Sequence, residues 1–322
     1  MLSFKERYAS PLKLTHYGIM GMNQRNVNYI GRYNQRRLYP LVDNKLKTKE
    51  MALSHGVTTP KLLGAIRSQQ DVEHILDILG EHSEFCIKPA QGSGGKGILA
   101  ITGRTENAFI KASGQSVTLH DVRRHLSNIL AGLFSLGGKP DIALIEALIH
   151  FDPVFNGYSY EGVPDTRVIV FQGFPVMAMM RLSTAASDGK ANLHQGAVGV
   201  GICMRTGRAV RAVQHNDPIK FHPDTEKDLY ALRVPHWMEV LTLAASCYNM
   251  SGLGYIGTDI VLDRDLGPML LELNARPGLA IQTANNAGLL PRLRLIEALP
   301  DRTHYTVAGR VDFARRHFGV FD

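Results

Sequence analysis

The order of apolar and polar positions changes character near the middle of the chain. In residues 44–57, Leu46, Met51 and Leu53 lie at partly helical spacing, and the stretch runs into Gly56 and Pro60, which predicts one helix that ends there. Two short apolar runs, at 85–89 and 98–102, predict strands joined by a glycine-rich connection. A helix over 118–134 and a strand over 142–149, apolar but for Glu146, follow. Beyond Pro153 the pattern becomes paired: RVIVFQGFPVMAMMRL predicts two strands turning near Gly173, and AVGVGICMRTGRAVRAV two more turning near Gly207. A long helix is expected over 235–249, with Trp237 and Met238 in the core, and then a hairpin over TDIVLDRDLGPMLLELN. The fold class is α+β, with antiparallel hairpins dominating the second half and a boundary near 150–155.

Composition narrows this further. A chain of 322 residues can hold two packed domains, and 44% hydrophobic with 20% charged residues excludes disordered and collagen-like chains. No apolar run approaches the ~18 residues of a membrane span. Lys5, Glu6 and Arg7 stand where a secretory signal needs apolar residues. Cys86, Cys203 and Cys247 are far apart and form no C-x-x-C pair, so a reduced, cytoplasmic protein is expected. Residues 1–50 hold ten Lys/Arg against three acids, which accounts for the whole formal charge of +7. This strip is dotted with Tyr29, Tyr33 and Tyr39. It could hold phosphates, nucleic acid or an acidic protein, or be a solvated face.

The run Gly92-Ser93-Gly94-Gly95-Lys96-Gly97 matches G-x-G-x-x-G, but a strand follows it and no acid lies about twenty residues on, so a dinucleotide fold does not fit. Ile98 stands where a P-loop needs lysine. What remains is a β-hairpin lid presenting backbone N–H groups to a polyphosphate, or a plain surface turn. Lys88 at the strand end before it and Lys45 at the start of the earlier helix supply point charges.

The sharpest geometric expectation concerns Asp259, Glu272 and Asn274. A hairpin turning at Asp265 and Leu266 sets Asp259 opposite Glu272, with Asn274 on the same face. Two facing carboxylates repel, and a hard cation such as Mg²⁺ would resolve this; a slipped register or solvated acids would do so without a metal. Arg276 adds a cation beside the same pocket, suited to charge on a transferred phosphoryl group.

Lys45, the segment 88–97, the strand Glu146-Ala147-Leu148-Ile149 and the Asp259…Glu272-Leu273-Asn274 set, in this order, resemble the ATP-grasp superfamily. Asp165-Thr166-Arg167, Arg181 and Asn192-Leu193-His194-Gln195-Gly196 are similar to the RimK-type α-L-glutamate ligases. The resemblance covers residues 43–285. It implies two α+β subdomains clamping ATP between antiparallel sheets, here 45–152 and 153–322, after a basic N-terminal segment 1–44. That segment is too short for the Rossmann-like domain of most relatives, as in a group described as glutamate-ligase-related or sugar-transfer-associated. An acceptor pocket would then use the basic strip or a second subunit.

The same resemblance implies the chemistry. Lys45, Lys88 and the loop from Gly92 to Gly97 would hold the ATP phosphates. Glu146 and the backbone of Ala147, Leu148 and Ile149 would form the adenine hinge, with Asp152 or His150 on the ribose. Asp259, Glu272 and Asn274 would bind two Mg²⁺, or Mn²⁺. Arg167, Arg181 and Asn192 would line the phosphate and carboxylate site, with Lys190 where relatives have arginine and Arg276 where the glutamate-ligase branch has a small residue. The implied activity is ATP-dependent carboxylate–amine ligation through an acylphosphate, on glutamate, another amino acid, a peptide or an acidic protein acceptor. The other readings are a ligase or phosphotransferase on a cell-envelope sugar acid, and a nucleotide-gated module that binds nucleic acid or an acidic protein.

Overall fold

The computed structural model describes residues 10–319 apart from 93, 107 and 136, so Ser93 of the glycine loop lies outside the described residues. Two antiparallel sheets organise the chain. The first holds β1 (Leu62–Ile66), β2 (Phe85–Pro89), β3 (Leu99–Arg104), β4 (Phe109–Lys111), β5 (Ser116–Val117) and β6 (Ala143–Glu146), in the order β1-β6-β2-β3-β4-β5. The second holds β7 (Asp165–Phe171), β8 (Phe174–Leu182), β9 (Val198–Ile202), β10 (Ala209–Gln214), β11 (Asp217–Pro218), β12 (Tyr255–Asp263) and β13 (Gly267–Asn274), in the order β11-β10-β9-β8-β7-β12-β13.

Local chemistry sets the helices that flank them. Asn44 accepts hydrogen bonds from the backbone N–H groups of Leu46 and Lys47, so the first long helix, Lys45–Ser54, opens on a lysine. Thr118 and Asp121 form a reciprocal capping box, and the helix Leu119–Leu130 lays Val122, Leu126 and Ile129 on the first sheet's core with Phe85, Ile87 and Ile101. The helix Trp237–Ser251 packs on the second sheet. Trp237 is buried and donates from Nε1 to the Met204 carbonyl at 2.9 Å, but Met238 is 42% exposed. The expected core position of Met238 is therefore corrected: it faces outward, because the helix turns Val240, Leu241 and Ala244 onto the sheet.

The strand expected over 142–149 is shorter than its apolar run. Its regular pairing ends at Glu146: the N–H of Ala147 makes one last bond beside β1, to the Lys61 carbonyl, and by Asp152 the backbone N–H donates instead to the Leu262 carbonyl of β12. Residues 147–152 thus bridge the two sheets.

The basic N-terminal stretch is part of the second sheet's packing. Tyr29 and Tyr33 meet Phe171 edge-on with ring centroids 5.6 and 4.8 Å away, and Asn34 exchanges hydrogen bonds with Tyr255 and donates to the Ala275 carbonyl. Arg25 donates to the Pro277 carbonyl, while Lys13, Arg36 and Arg37 stay exposed. These tyrosines serve packing rather than a displayed binding strip. Among the described residues no helix is long and apolar enough to cross a membrane.

Candidate active site

The glycine loop leaves β2 at Pro89 and is held at its root. Lys45 donates from Nζ to the Gly92 carbonyl at 2.6 Å, and Asp141 accepts from the Gln91 N–H at 2.9 Å. Gly94, Gly95 and Gly97 all have positive φ, between 65° and 76°, a backbone path that side chains oppose. At Gly97 space forbids a side chain as well, since a Cβ would lie 2.6 Å from Phe134 Cγ. His125 holds the carbonyl of Gly97 through Nε2 at 2.9 Å. Burial presses the His125 imidazole towards its neutral form more strongly than this contact favours the charged one, so its pKa is lowered. The exposed tip of the loop reaches the second sheet's side: a Cβ on Gly95 would sit 3.7 Å from Lys190 Cγ.

Behind the loop lies a buried charge cluster. Glu146 Oε1 pairs with Lys49 Nζ at 2.7 Å and Oε2 with Lys88 Nζ, and all three side chains are nearly inaccessible. Burial opposes the Glu146 carboxylate, but the two ammoniums outweigh it and hold its pKa low. Ala147, Leu148 and Ile149 follow, half-buried. His150 pairs through Nε2 with Glu84 at 3.1 Å, and Asp152 accepts from the Val154 N–H, capping the turn Pro153–Phe155.

The hairpin β12–β13 does place Asp259 directly opposite Glu272, with Asn274 two residues on. The turn itself is one residue longer than expected: Asp263 pairs with Gly267, and an irregularity between Asp259 and Ile260 restores the pairing at Glu272. Gly257 opposes Asn274 on the same face, and a Cβ there would lie 2.8 Å from Pro277 Cβ, so the loop after β13 folds back over it.

The charge on this face is balanced differently from the sequence expectation. Asp259 also faces Arg167 across β12–β7, and the guanidinium binds its carboxylate through Nε and through Nη2 at 2.6 Å. Arg181 adds a contact at 2.9 Å and itself forms a forked pair with Asp165 at 2.6 and 2.7 Å. Asp259 is therefore not a bare carboxylate that only a metal ion could relieve, because its neighbour in the sheet is an arginine 92 residues earlier. Burial would raise the Asp259 pKa, but Arg167 and Arg181 overcome this and lower it. Asp165 is pushed up by burial. Glu272 is half-buried and faces the start of the helix Lys45–Ser54, with Oε1 3.8 Å from Lys45 Nζ.

The remaining expected residues are tied locally. Arg276 pairs with Asp43 at 2.9 Å and lies over the Tyr39 ring, clamping the N-terminal segment to the loop after β13. Lys190 pairs with Asp188 at 2.8 Å, and Asn192 caps the turn Leu193–Gln195. Lys96 is exposed at the loop. The structure thus gathers Lys45, Gly92 and Glu272 at one point and Arg167, Arg181 and Asp259 at another. Asp165, Lys49, Asp43 and His125 had been given no role; only cross-strand and interhelical neighbours reveal them.

Two antiparallel sheets, a glycine-rich lid on one and a carboxylate-bearing hairpin on the other, define the ATP-grasp class of fold. The family described as sugar-transfer associated ATP-grasp matches residues 24–298, and the chain belongs to it. A probable alpha-L-glutamate ligase of Parasynechococcus marenigrum (strain WH8102) is 25% identical over 250 residues, or 76% of this chain and 39% of that protein. The chain thus matches well under half of that relative's length. Among solved structures, D-alanine-D-alanine ligase of Helicobacter pylori is 14% identical over 83% of this chain and 64% of its own, with a TM-score of 0.45. The ATP-grasp ligase PsnB, complexed with a minimal precursor, is 17% identical over 84% and 63%, with a TM-score of 0.44.

Proposed function

We propose that this chain is an ATP-dependent, ADP-forming carboxylate–amine ligase, with the lid carried by residues 45–152 and the metal hairpin by 153–322. The observation that carries the reading is Lys45, whose ammonium touches both the lid at Gly92 and the hairpin acid Glu272. One cation joins the two halves between which a polyphosphate would lie.

The donor set suits a hard divalent cation. Among the described residues no three His, Cys, Asp or Glu side chains cluster closely enough to hold a metal by themselves. Asp259, Glu272 and Asn274 instead offer two carboxylates and an amide oxygen on one face, an all-oxygen set that Mg²⁺ completes with phosphate oxygens and water. When bound, Mg²⁺ supplies charge neutralisation on the transferred phosphoryl group. Asp259 becomes available only as Arg167 or Arg181 turns away, and a released guanidinium is then free to orient an anionic substrate.

Lys45 and Lys88 hold the phosphates, the glycine lid excludes water, and residues 146–149 line the adenine. A substrate carboxylate takes the γ-phosphoryl group to give an acylphosphate and ADP, and an amine displaces phosphate to form the amide. The 25% identical relative, described as a probable glutamate ligase, supports glutamate or a peptide as the first substrates to try. The family's sugar-transfer description favours, as a second reading, an acid attached to a sugar.

Phosphate release measured with ATP and Mg²⁺ over amino acids and sugar acids, singly and in pairs, tests both. Release that needs an acid and an amine, with a phosphorus-free product by mass, supports ligation. A phosphate ester as product would replace it with phosphotransfer.

A further inference from the structure

Lys49 is the member of the buried cluster that no phosphate-binding role explains. Its ammonium is fully used inside the protein: it contacts Glu146 Oε1 at 2.7 Å, the Pro60 carbonyl, and Thr59 Oγ1 at 3.4 Å. Three donors meet three acceptors, and the side chain is 5% exposed, so Lys49 has nothing left to offer a ligand. Lys88 differs. Its one ion-pair partner among the described residues is Glu146, and it stands at the end of β2 where the lid begins. It also feels the charge of Glu272 across the cleft.

The two lysines come from different elements, the helix Lys45–Ser54 and strand β2, and grip separate oxygens of one carboxylate. A carboxylate 2% exposed cannot lose its only counter-charge without a large desolvation cost. With Lys88 alone on Glu146, drawing that lysine to a phosphate would strand a buried anion. With Lys49 also in place, it does not.

We infer that Lys49 is a positioning residue that keeps Glu146 neutralised, so that Lys88 can leave it for the phosphates of a bound nucleotide. This rests on the ATP reading above and adds to it a residue that touches no ligand. Lys49 sets how freely Lys88 moves, and its influence passes entirely through Glu146.

The test is a double-mutant cycle read by calorimetric binding of a non-hydrolysable ATP analogue with Mg²⁺, with melting curves to verify that each variant is folded. Lys49→Met weakens binding at least tenfold in the otherwise unaltered chain, because Lys88 becomes pinned to Glu146. In the Glu146→Gln background, where there is no charge to neutralise, the same substitution costs less than twofold. Lys49→Arg, which keeps the charge, recovers most of the affinity. Should Lys49→Met not fold, Lys49→Gln, which retains a donor for the Pro60 carbonyl, carries the same comparison. Equal losses in both backgrounds, or no loss in the first, overturn the inference while leaving the ATP reading intact. An unaltered chain that binds no nucleotide overturns both.

Discussion

The Lys45 ammonium lies 2.6 Å from the carbonyl oxygen of Gly92, 47 residues further along, and 3.8 Å from the carboxylate of Glu272 on the opposite sheet. Lid position and hairpin charge are therefore linked through one side chain at the first turn of a helix. Replacing Lys45 with Met removes a charge-assisted bond worth about 1.5–3 kcal/mol. ATP-dependent turnover is expected to show KM for ATP raised about tenfold or more, with the melting temperature lowered by several degrees. An unchanged KM would detach Lys45 from the lid.

Glu272 and Asp259 separate chemistry from stability. Glu272 is half-buried and touches Lys45 only loosely, so Glu272→Ala should fold normally yet lose Mg²⁺-dependent ADP formation. Asp259 is buried between two guanidiniums, and Asp259→Ala strands the buried Arg167, while Arg181 keeps its forked pair with Asp165, at a cost of about 3–5 kcal/mol. Denaturant unfolding of the two variants checks this. Equal stability loss would mean that the charge network is not what anchors β7 to β12.

His125 should make the lid acid-sensitive. Its pKa is lowered by burial, so the folded form resists protonation relative to the unfolded chain. The stability it contributes is present above the ordinary imidazole value of about 6.5 and is lost as pH falls through that value towards the folded one. Proton NMR should find this histidine titrating below the ordinary imidazole value of about 6.5, and His125→Asn should flatten the acid limb of the unfolding profile.

Gly97→Ala is expected to damage the lid alone. The residue has φ near +76° and no room against Phe134, so a side chain strains the backbone and displaces the ring. Nucleotide affinity should fall while the second sheet, monitored through the buried Trp237, unfolds as before.

Cys86 and Cys247 should be inert thiols. Burial raises them to about 11 and about 12, so little thiolate forms near pH 8. Alkylation of the native protein at that pH, followed by peptide mass analysis, should find neither modified until the chain is unfolded.

Much of this was legible along the chain. Asn44 before Lys45, Thr118 before Asp121, and glycines at positions 94, 95 and 97 specify helix starts and a lid path through local sterics and capping alone. The pairing of Asp259 with Glu272 was readable too, although two one-residue offsets, a longer turn and a bulge, cancel to produce it. Neither offset has a sequence signal strong enough to read, because a bulge is decided by what the partner strand and the covering loop demand.

What the sequence alone determined are the properties carried by neighbours within a few positions: which segments pair as hairpins, where the lid bends, and which acids share a strand face. Which counter-charge each acid meets was decided by the assembled sheets. Arg167 finds Asp259, and Lys49 finds Glu146, only because β7 lies beside β12 and a helix lies over β6. The desolvation that makes those encounters strong does not exist until both sheets are packed.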